Sequence, residues 1–424
     1  MARGARRGLV ALAWLFLCGR GQAPLFAGDG TFTLQGVAEG RGLWVQGQQT
    51  WLRNGFGRLT EGANSSADDD FTARGQLHLG IDWRPGVSWL VHVHGVAQGE
   101  PASYGGRKGG LVEGFVQFRS EPSAAVSLRF RAGTFFPQTS LENVDPLWQS
   151  PYTLTLSALN TWTAEELRLT GLESAVTLKS GKDDRFDLAG TAFAVDDAAG
   201  ALIAWRGWSL GDRLSTVGEI LPLPPLRSLA PGGAFADQRD GTGPIDELDG
   251  RLGWQVRGRW SRADAFEARF AYLDNNGDRR LHAGQYSWAT SFVTGGLRLR
   301  LGSKGALLAE GASGSTGMGP AIPGGPRVDV AFTVGYALAS WGGERWRFSG
   351  RVDGFRNRDR DGTAEPNQES GWAWTAAVLW RPIRALRVGA EYLVVRAQRP
   401  AAADSGYDPD TNARRAQLEV RTSF

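Results

Sequence analysis

Between residues 328 and 338 the chain alternates without a break. Val328, Val330, Phe332, Val334, Tyr336 and Leu338 fall on one side of an extended backbone, and Asp329, Ala331, Thr333, Gly335 and Ala337 fall on the other. A period of two marks a β-strand with two chemically different faces. Over residues 251–260, Leu252, Trp254, Val256 and Trp260 oppose Arg251, Gln255, Arg257 and Arg259, and the segments around 126–130, 266–272, 297–301, 346–352, 372–380 and 386–394 repeat the scheme. The last stretch does so as well: Ala416, Leu418, Val420, Thr422 and Phe424 share one face, with Arg415, Gln417, Glu419, Arg421 and Ser423 on the other. The pattern predicts an all-β chain.

Two architectures read this way, a soluble antiparallel sheet with one wet face and a membrane barrel whose apolar face meets lipid. Spacing favours the second. Segments of about 10 to 14 residues are joined by tight turns at 84–86, 121–123 and 342–345 and by long polar stretches at 48–70 and 400–412. Short turns on one side and long loops on the other belong to barrels, whereas strands of soluble sheets are commonly about 5 to 6 residues long. Trp83 and Trp89 bracket one tight turn, Trp341 and Trp346 another, and Trp380 precedes a third. Indoles favour the membrane–water boundary, the competing reading being that they fill a core. The expectation is a transmembrane antiparallel up-and-down β-barrel of about 18 strands, or 16 if residues 201–225 form one irregular excursion instead of two strands. Either number leaves a lumen wide enough for water.

The N-terminal stretch changes the charge reading. Arg3, Arg6 and Arg7 precede an apolar run over residues 9–18, the layout of an export signal, here expected to end at Ala27. That run is too short for a membrane helix, which needs about 20 residues. Leu17 before Cys18 speaks against a lipid-anchored cysteine, where a small residue is usual. Residues 1–27 hold four of the 47 basic residues and none of the 44 acidic ones, leaving 43 against 44 in residues 28–424, a net of −1. No nucleic-acid partner is expected from that balance. Residues 28–424 contain no cysteine, so neither disulfides nor a thiolate metal site are available, and no cofactor is expected.

Residues 135–162, FFPQTSLENVDPLWQSPYTLTLSALNTW, lie after the fifth predicted strand, lack a long alternating run and are too long for a simple connection. Their position resembles that of the third extracellular loop of general and phosphate-selective porins. With SLEN, SPYT, SALNTW, EELRLTG (165–171) and AWRGW (204–208), the chain resembles a family of proteobacterial porins. The terminal strand ending in Phe424 likewise resembles the signature that the barrel assembly machinery recognises in Gram-negative outer-membrane proteins, and a closed barrel must pair that strand with the first, near residues 31–46. The resemblance implies a non-enzymatic, water-filled channel for passive diffusion of small hydrophilic solutes. It also implies surrounding outer-membrane lipid and lipopolysaccharide, and a homotrimer. Residues 136–164 would fold inward as a constriction, placing Glu142, Asn143, Asp145 and Asn160 in the lumen.

Assigning each polar face to the lumen puts Arg129, Arg131, Arg257, Arg259, Arg298, Arg300, Arg347, Arg351, Arg387, Arg415 and Arg421 inside, against Glu113, Glu267, Asp329, Asp353, Glu391 and Glu419. A basic wall favours anionic solutes. The competing reading is that the arginines pair with carboxylates and hold the constriction open. His78, His92 and His94 share the inward parity. A three-residue connection pairing Trp83 with Val87 would set His78 opposite His92, a weak metal or proton-sensing candidate whose plain reading is polar lining. Asn357, Asp359 and Asp361 alternate before Gly362 as at the start of a calcium loop, but Gln368 stands where glutamate is required, so a solvated loop is the simpler reading. His282 with Asp274 or Asp278 is the constellation open to a rim-located hydrolase, and an adhesion or structural barrel is the other alternative.

Overall fold

In the computed structural model, which describes residues 25–27, 30–62, 69–99, 108–121, 123–319, 327–363 and 365–424, the alternating segments close into a cylinder. The expected export signal lies outside the described residues as far as residue 24. Sixteen strands form the wall. They are β1 (Gly30–Gln46), β2 (Asp69–Arg84), β3 (Trp89–Gly99), β4 (Gly109–Arg119), β5 (Val126–Phe135), β6 (Leu169–Ser180), β7 (Asp184–Phe193) and β8 (Gly253–Arg262), then β9 (Phe266–Asp274), β10 (Ala289–Leu301), β11 (Gly305–Met318), β12 (Val328–Gly342), β13 (Trp346–Asp359), β14 (Glu369–Ile383), β15 (Leu386–Gln398) and β16 (Asp410–Ser423). Each strand pairs antiparallel with its chain neighbours, and Leu25–Ala27 adds a short pairing to the start of β1.

The cylinder closes between β1 and β16, in register from Val37 opposite Ser423 to Gln46 opposite Arg414. Phe424 continues the ladder. Its N–H donates to the Gly36 carbonyl at 3.0 Å and its carbonyl accepts from the Gly36 N–H at 2.9 Å. The phenylalanine ring lies so close over Gly36 that a Cβ there would stand 2.0 Å from the ring. Closure leaves no open edge to face hydrocarbon.

Leu128, Phe130, Trp254, Val256, Leu297, Leu299, Phe348 and Val352 point outward and are exposed, while Arg129, Gln255, Arg257 and Arg351 alternate with them inward. The exterior is an apolar band of the kind lipid covers. Trp83, Trp89, Trp341, Trp346 and Trp380 are exposed beside the tight turns, as a rim girdle requires.

Of the two strand numbers expected, sixteen holds, because residues 201–225 form one irregular excursion and contribute nothing to the wall. Leu202, Ile203, Ala204 and Trp205 are consecutive and all fully buried in a helical turn, which a strand with one lipid face cannot achieve. One expectation needs correction: the turn after β2 is longer than three residues. Trp83 pairs with Val91, so His92 stands opposite Asp82, His94 opposite Gly80 and His78 opposite Val96.

Candidate functional site: the barrel lumen

Two connections on the long-loop side pack against the inward faces of the strands. The first, residues 136–168, is held by wall side chains that grip its backbone. Arg351 of β13 donates to Glu142 Oε1 at 2.6 Å, to the Thr155 carbonyl at 2.6 Å and to the Leu156 carbonyl at 3.0 Å, and its Nε reaches Asp353 at 2.9 Å. Glu391 of β15 accepts from the Leu154 N–H at 2.6 Å and the Thr155 N–H at 3.2 Å. Ser157 caps the short helix α1 (Ala158–Thr163), whose first N–H donates to Asp353 at 3.0 Å. Glu142 accepts from Ser157 N and Asn160 Nδ2, both at 3.0 Å, and Asn160 also donates to Glu310 of β11 at 3.1 Å. Asn143 shapes the segment itself, accepting from Ser140 at 2.9 Å and donating to the Trp148 carbonyl at 3.0 Å. Asp145 stands apart, half-buried and 3.5 Å from Arg381 of β14. Of the four polar residues expected together, Glu142 and Asn160 meet.

The second connection, between β7 and β8, packs beside the first. Asp212 lies 2.8 Å from Arg41 of β1 and 2.5 Å from Arg74 of β2. These two guanidiniums outweigh the cost of burial and hold the Asp212 carboxyl down at about 2. The Trp208 indole donates to Asn357 at 2.8 Å, and Asn357 donates to the Ile203 carbonyl at 2.8 Å. The two connections bond to each other through Leu156 N to Gly211 O at 2.7 Å and Ser215 N to Glu165 O at 3.1 Å. Trp162 and Trp208 meet Phe292 and Phe332 of the wall in a shared aromatic cluster. Packing is tight enough that the space among Arg41, Ser150, Leu154, Asp212 and Arg387 is only about 20 Å³.

Towards the tight turns the lining changes. Arg129, Arg131 and Arg257 converge on Glu173 at 3.2, 3.2 and 3.0 Å. Arg259, Arg269 and Arg298 converge on Glu267 at 2.8, 2.6 and 3.0 Å, while Arg185 and Arg259 flank Asp187 at 2.9 and 3.3 Å. The acids lie underneath. The Glu267 side chain is 3% exposed, while those of Arg259 and Arg298 are 30% and 29% exposed. Arg347 donates to Ser340 at 3.0 Å, and Arg300 at the rim lies 3.2 Å from Asp264. Arg387 pairs with Glu419 at 2.8 Å and Arg421 donates to Gln149 at 3.3 Å, while on the long-loop side Arg415 pairs with Glu61 at 2.5 Å. A recess of about 600 Å³ at this mouth is bordered by Asp145, Arg381, Arg384, Arg387 and Arg421.

No protein-family model matches the sequence, and no curated protein does. The fold is nevertheless shared with solved outer-membrane channels over nearly the whole chain. The outer membrane channel DcaP of Acinetobacter baumannii is similar at a TM-score of 0.55 and 12% identity, with 95% of this chain and 100% of that chain covered. Salmonella typhi OmpF, solved with daunomycin, gives 0.54 and 11% with the same coverage. An anion-selective porin from Comamonas acidovorans gives 0.50 and 10%, covering 93% of this chain and 100% of that one. The fold is that of the outer-membrane porins.

Within this porin barrel the remaining candidates separate. His78 Nδ1 lies 3.3 Å from His94 Nε2 across β2 and β3, but His92 turns to Asp82 at 2.7 Å, so the three imidazoles do not form one set. The calcium-loop candidates also disperse. Asn357 points into the lumen, and Asp359 and Asp361 accept from the N–H groups of Asn367 and Thr363, both at 2.7 Å. His282 meets Asp278 at 3.0 Å, while Asp274 accepts from Asn276 N at 2.8 Å. Sequence reasoning missed Glu39, Glu61, Glu173, Asp187, Asp212 and Glu310. Glu173 was within reach, because Leu172 points outward beside it in an alternating run over β6.

Proposed function

We propose that this chain is an outer-membrane diffusion channel for small hydrophilic solutes, that residues 136–164 form its constriction, and that the turn-side half of its lumen favours anions. The observation that carries the anion preference is the arginine arc. Arg129, Arg131, Arg185, Arg257, Arg259, Arg269 and Arg298 share three carboxylates, Glu173, Asp187 and Glu267, and all but the buried Arg131 and Arg257 are more exposed than the acids they share. A solute passing there meets donors and net positive charge, while acids in the outer loops are screened over about 8 Å at physiological salt. In this reading outer-membrane lipid and lipopolysaccharide surround the apolar exterior, three copies assemble side by side, residues 1–27 direct export and Phe424 is read by the assembly machinery. The purified barrel in a planar bilayer tests the proposal. Discrete ohmic conductance with a reversal potential favouring chloride in a potassium chloride gradient is expected. A potassium preference would refute the anion reading, and no conductance would refute the channel.

A further inference from the structure

The connection between β7 and β8 leaves the wall at Phe193 and returns at Gly253, and near these ends one buried carboxylate oxygen lacks a partner. Asp197 is 1% exposed. Its Oδ2 accepts from the N–H groups of Leu248 at 2.7 Å and Asp249 at 3.2 Å, but its Oδ1 is buried with no hydrogen-bond partner. Carboxylate oxygens of Asp197, Glu247 and Asp249 all lie within 4.8 Å of one another.

The backbone around these groups is already set. Asp197 N donates to the Asp246 carbonyl at 3.2 Å, and Trp288 N donates to the Asp197 carbonyl at 2.7 Å. Asp249 accepts from Asp278 N at 2.7 Å and from Ser287 Oγ at 2.9 Å, which brings in the connection between β9 and β10. Glu247 is exposed, leaving a way in from solvent. Three carboxylates drawn together repel one another, one of them also holds an unpaired buried oxygen, and a hard cation with oxygen preference removes both penalties at once.

We propose that Asp197, Glu247 and Asp249 bind a calcium ion that ties the β7–β8 connection to the β9–β10 connection at the long-loop rim. Calcium tolerates irregular oxygen sets completed by water, whereas magnesium demands a near-octahedral shell and gives up its waters reluctantly. The site is independent of whether the barrel conducts, so its test reads metal binding.

The full-length folded barrel, stripped with a chelator, is titrated with calcium chloride in a calorimeter and melted with and without calcium. One saturable site and a higher melting temperature in calcium are expected. Asp197→Asn keeps an oxygen for the Leu248 and Asp249 N–H groups while removing the charge, and should weaken binding at least about tenfold and abolish the thermal shift. Should that variant not fold, Glu247→Gln at the exposed ligand takes its place with the same expected loss. A wild-type barrel that binds no calcium, or a folded variant that binds with unchanged affinity, would overturn the assignment. Magnesium displacing calcium at equal concentration would overturn the choice of ion.

Discussion

Arg351 and Glu142 meet at 2.6 Å with both side chains fully buried, one from the wall and the other from the connection after β5. Removing one partner of such a pair strands the other charge and costs about 3 to 5 kcal/mol. Arg351→Met should therefore detach residues 136–168 from β13, exposing Glu142 and Asp353 to repulsion. Single-channel recording should show larger, noisier conductance, and Glu142→Gln, which retains an acceptor, should have a smaller effect. Deleting residues 140–149 should likewise raise conductance, and an unchanged value in a correctly folded deletion would count against a constriction there.

Arg298 and Arg300 offer the most direct test of ion preference. Arg298 reaches Glu267, and Arg300 stands at the rim. Changing both to glutamate alters the local charge by four units close to the turn-side mouth. The reversal potential in a salt gradient should move towards cations, and more strongly at low ionic strength, where the field is less screened. An unmoved potential would mean that selectivity is set elsewhere.

Glu165 supplies a pH dependence. It is buried with one carboxylate oxygen unpartnered, and burial, followed by the Asp212 and Glu166 charges, raises its carboxyl well above the ordinary range. The packed state therefore binds a proton that the released segment would shed. Stability of the packing is greatest at low pH and declines as pH rises from the ordinary carboxylate range through the raised value. Asp212, held down at about 2, keeps its anchor until far more acidic conditions. Glu165→Gln should raise thermal stability at pH 8 by on the order of 1 kcal/mol, with little change at pH 5. Melting curves at the two pH values give the comparison.

The closing seam has its own sensitive position. With the Phe424 ring packed on Gly36, Gly36→Val must displace either the ring or the strand, while a Cβ at Gly40 meets nothing within 4 Å. Gly36→Val should lower the temperature at which the folded barrel converts to the heat-denatured form on a gel, and Gly40→Val should not. Equal behaviour would remove any role for the ring in closure.

Strand faces were legible because lipid imposes a strict two-residue period on the wall, and Val328 to Leu338 or Leu297 to Leu301 could be read with nothing else in hand. The interior was harder. Trp162, Trp205 and Trp208 share a composition with the rim tryptophans Trp83 and Trp346, yet they are buried among the connections, where no period applies. The same cause left the strand number open between 16 and 18, since the apolar run at 202–205 packs on all sides. Two inward acids were missed for a different reason: Glu173 and Asp187 lie on strands whose alternation is weakened by small residues such as Ser174, Ala175 and Ala189. Register at His78 and His92 depended on the length of a turn, which alternation does not encode.

The packed connections also bear on how the cylinder is made. Arg41 of the first strand donates to the Leu154 carbonyl at 3.1 Å, and Gln417 of the last strand donates to Thr155 Oγ1 at 3.0 Å. Strands at opposite ends of the sequence thus grip adjacent residues of one central segment. On this arrangement the segment should act as a mandrel during assembly, giving the open sheet a surface to wrap around and bringing its two free margins together on the same core. A barrel with residues 140–149 removed should consequently refold more slowly in lipid vesicles, with closure and not strand formation as the delayed step.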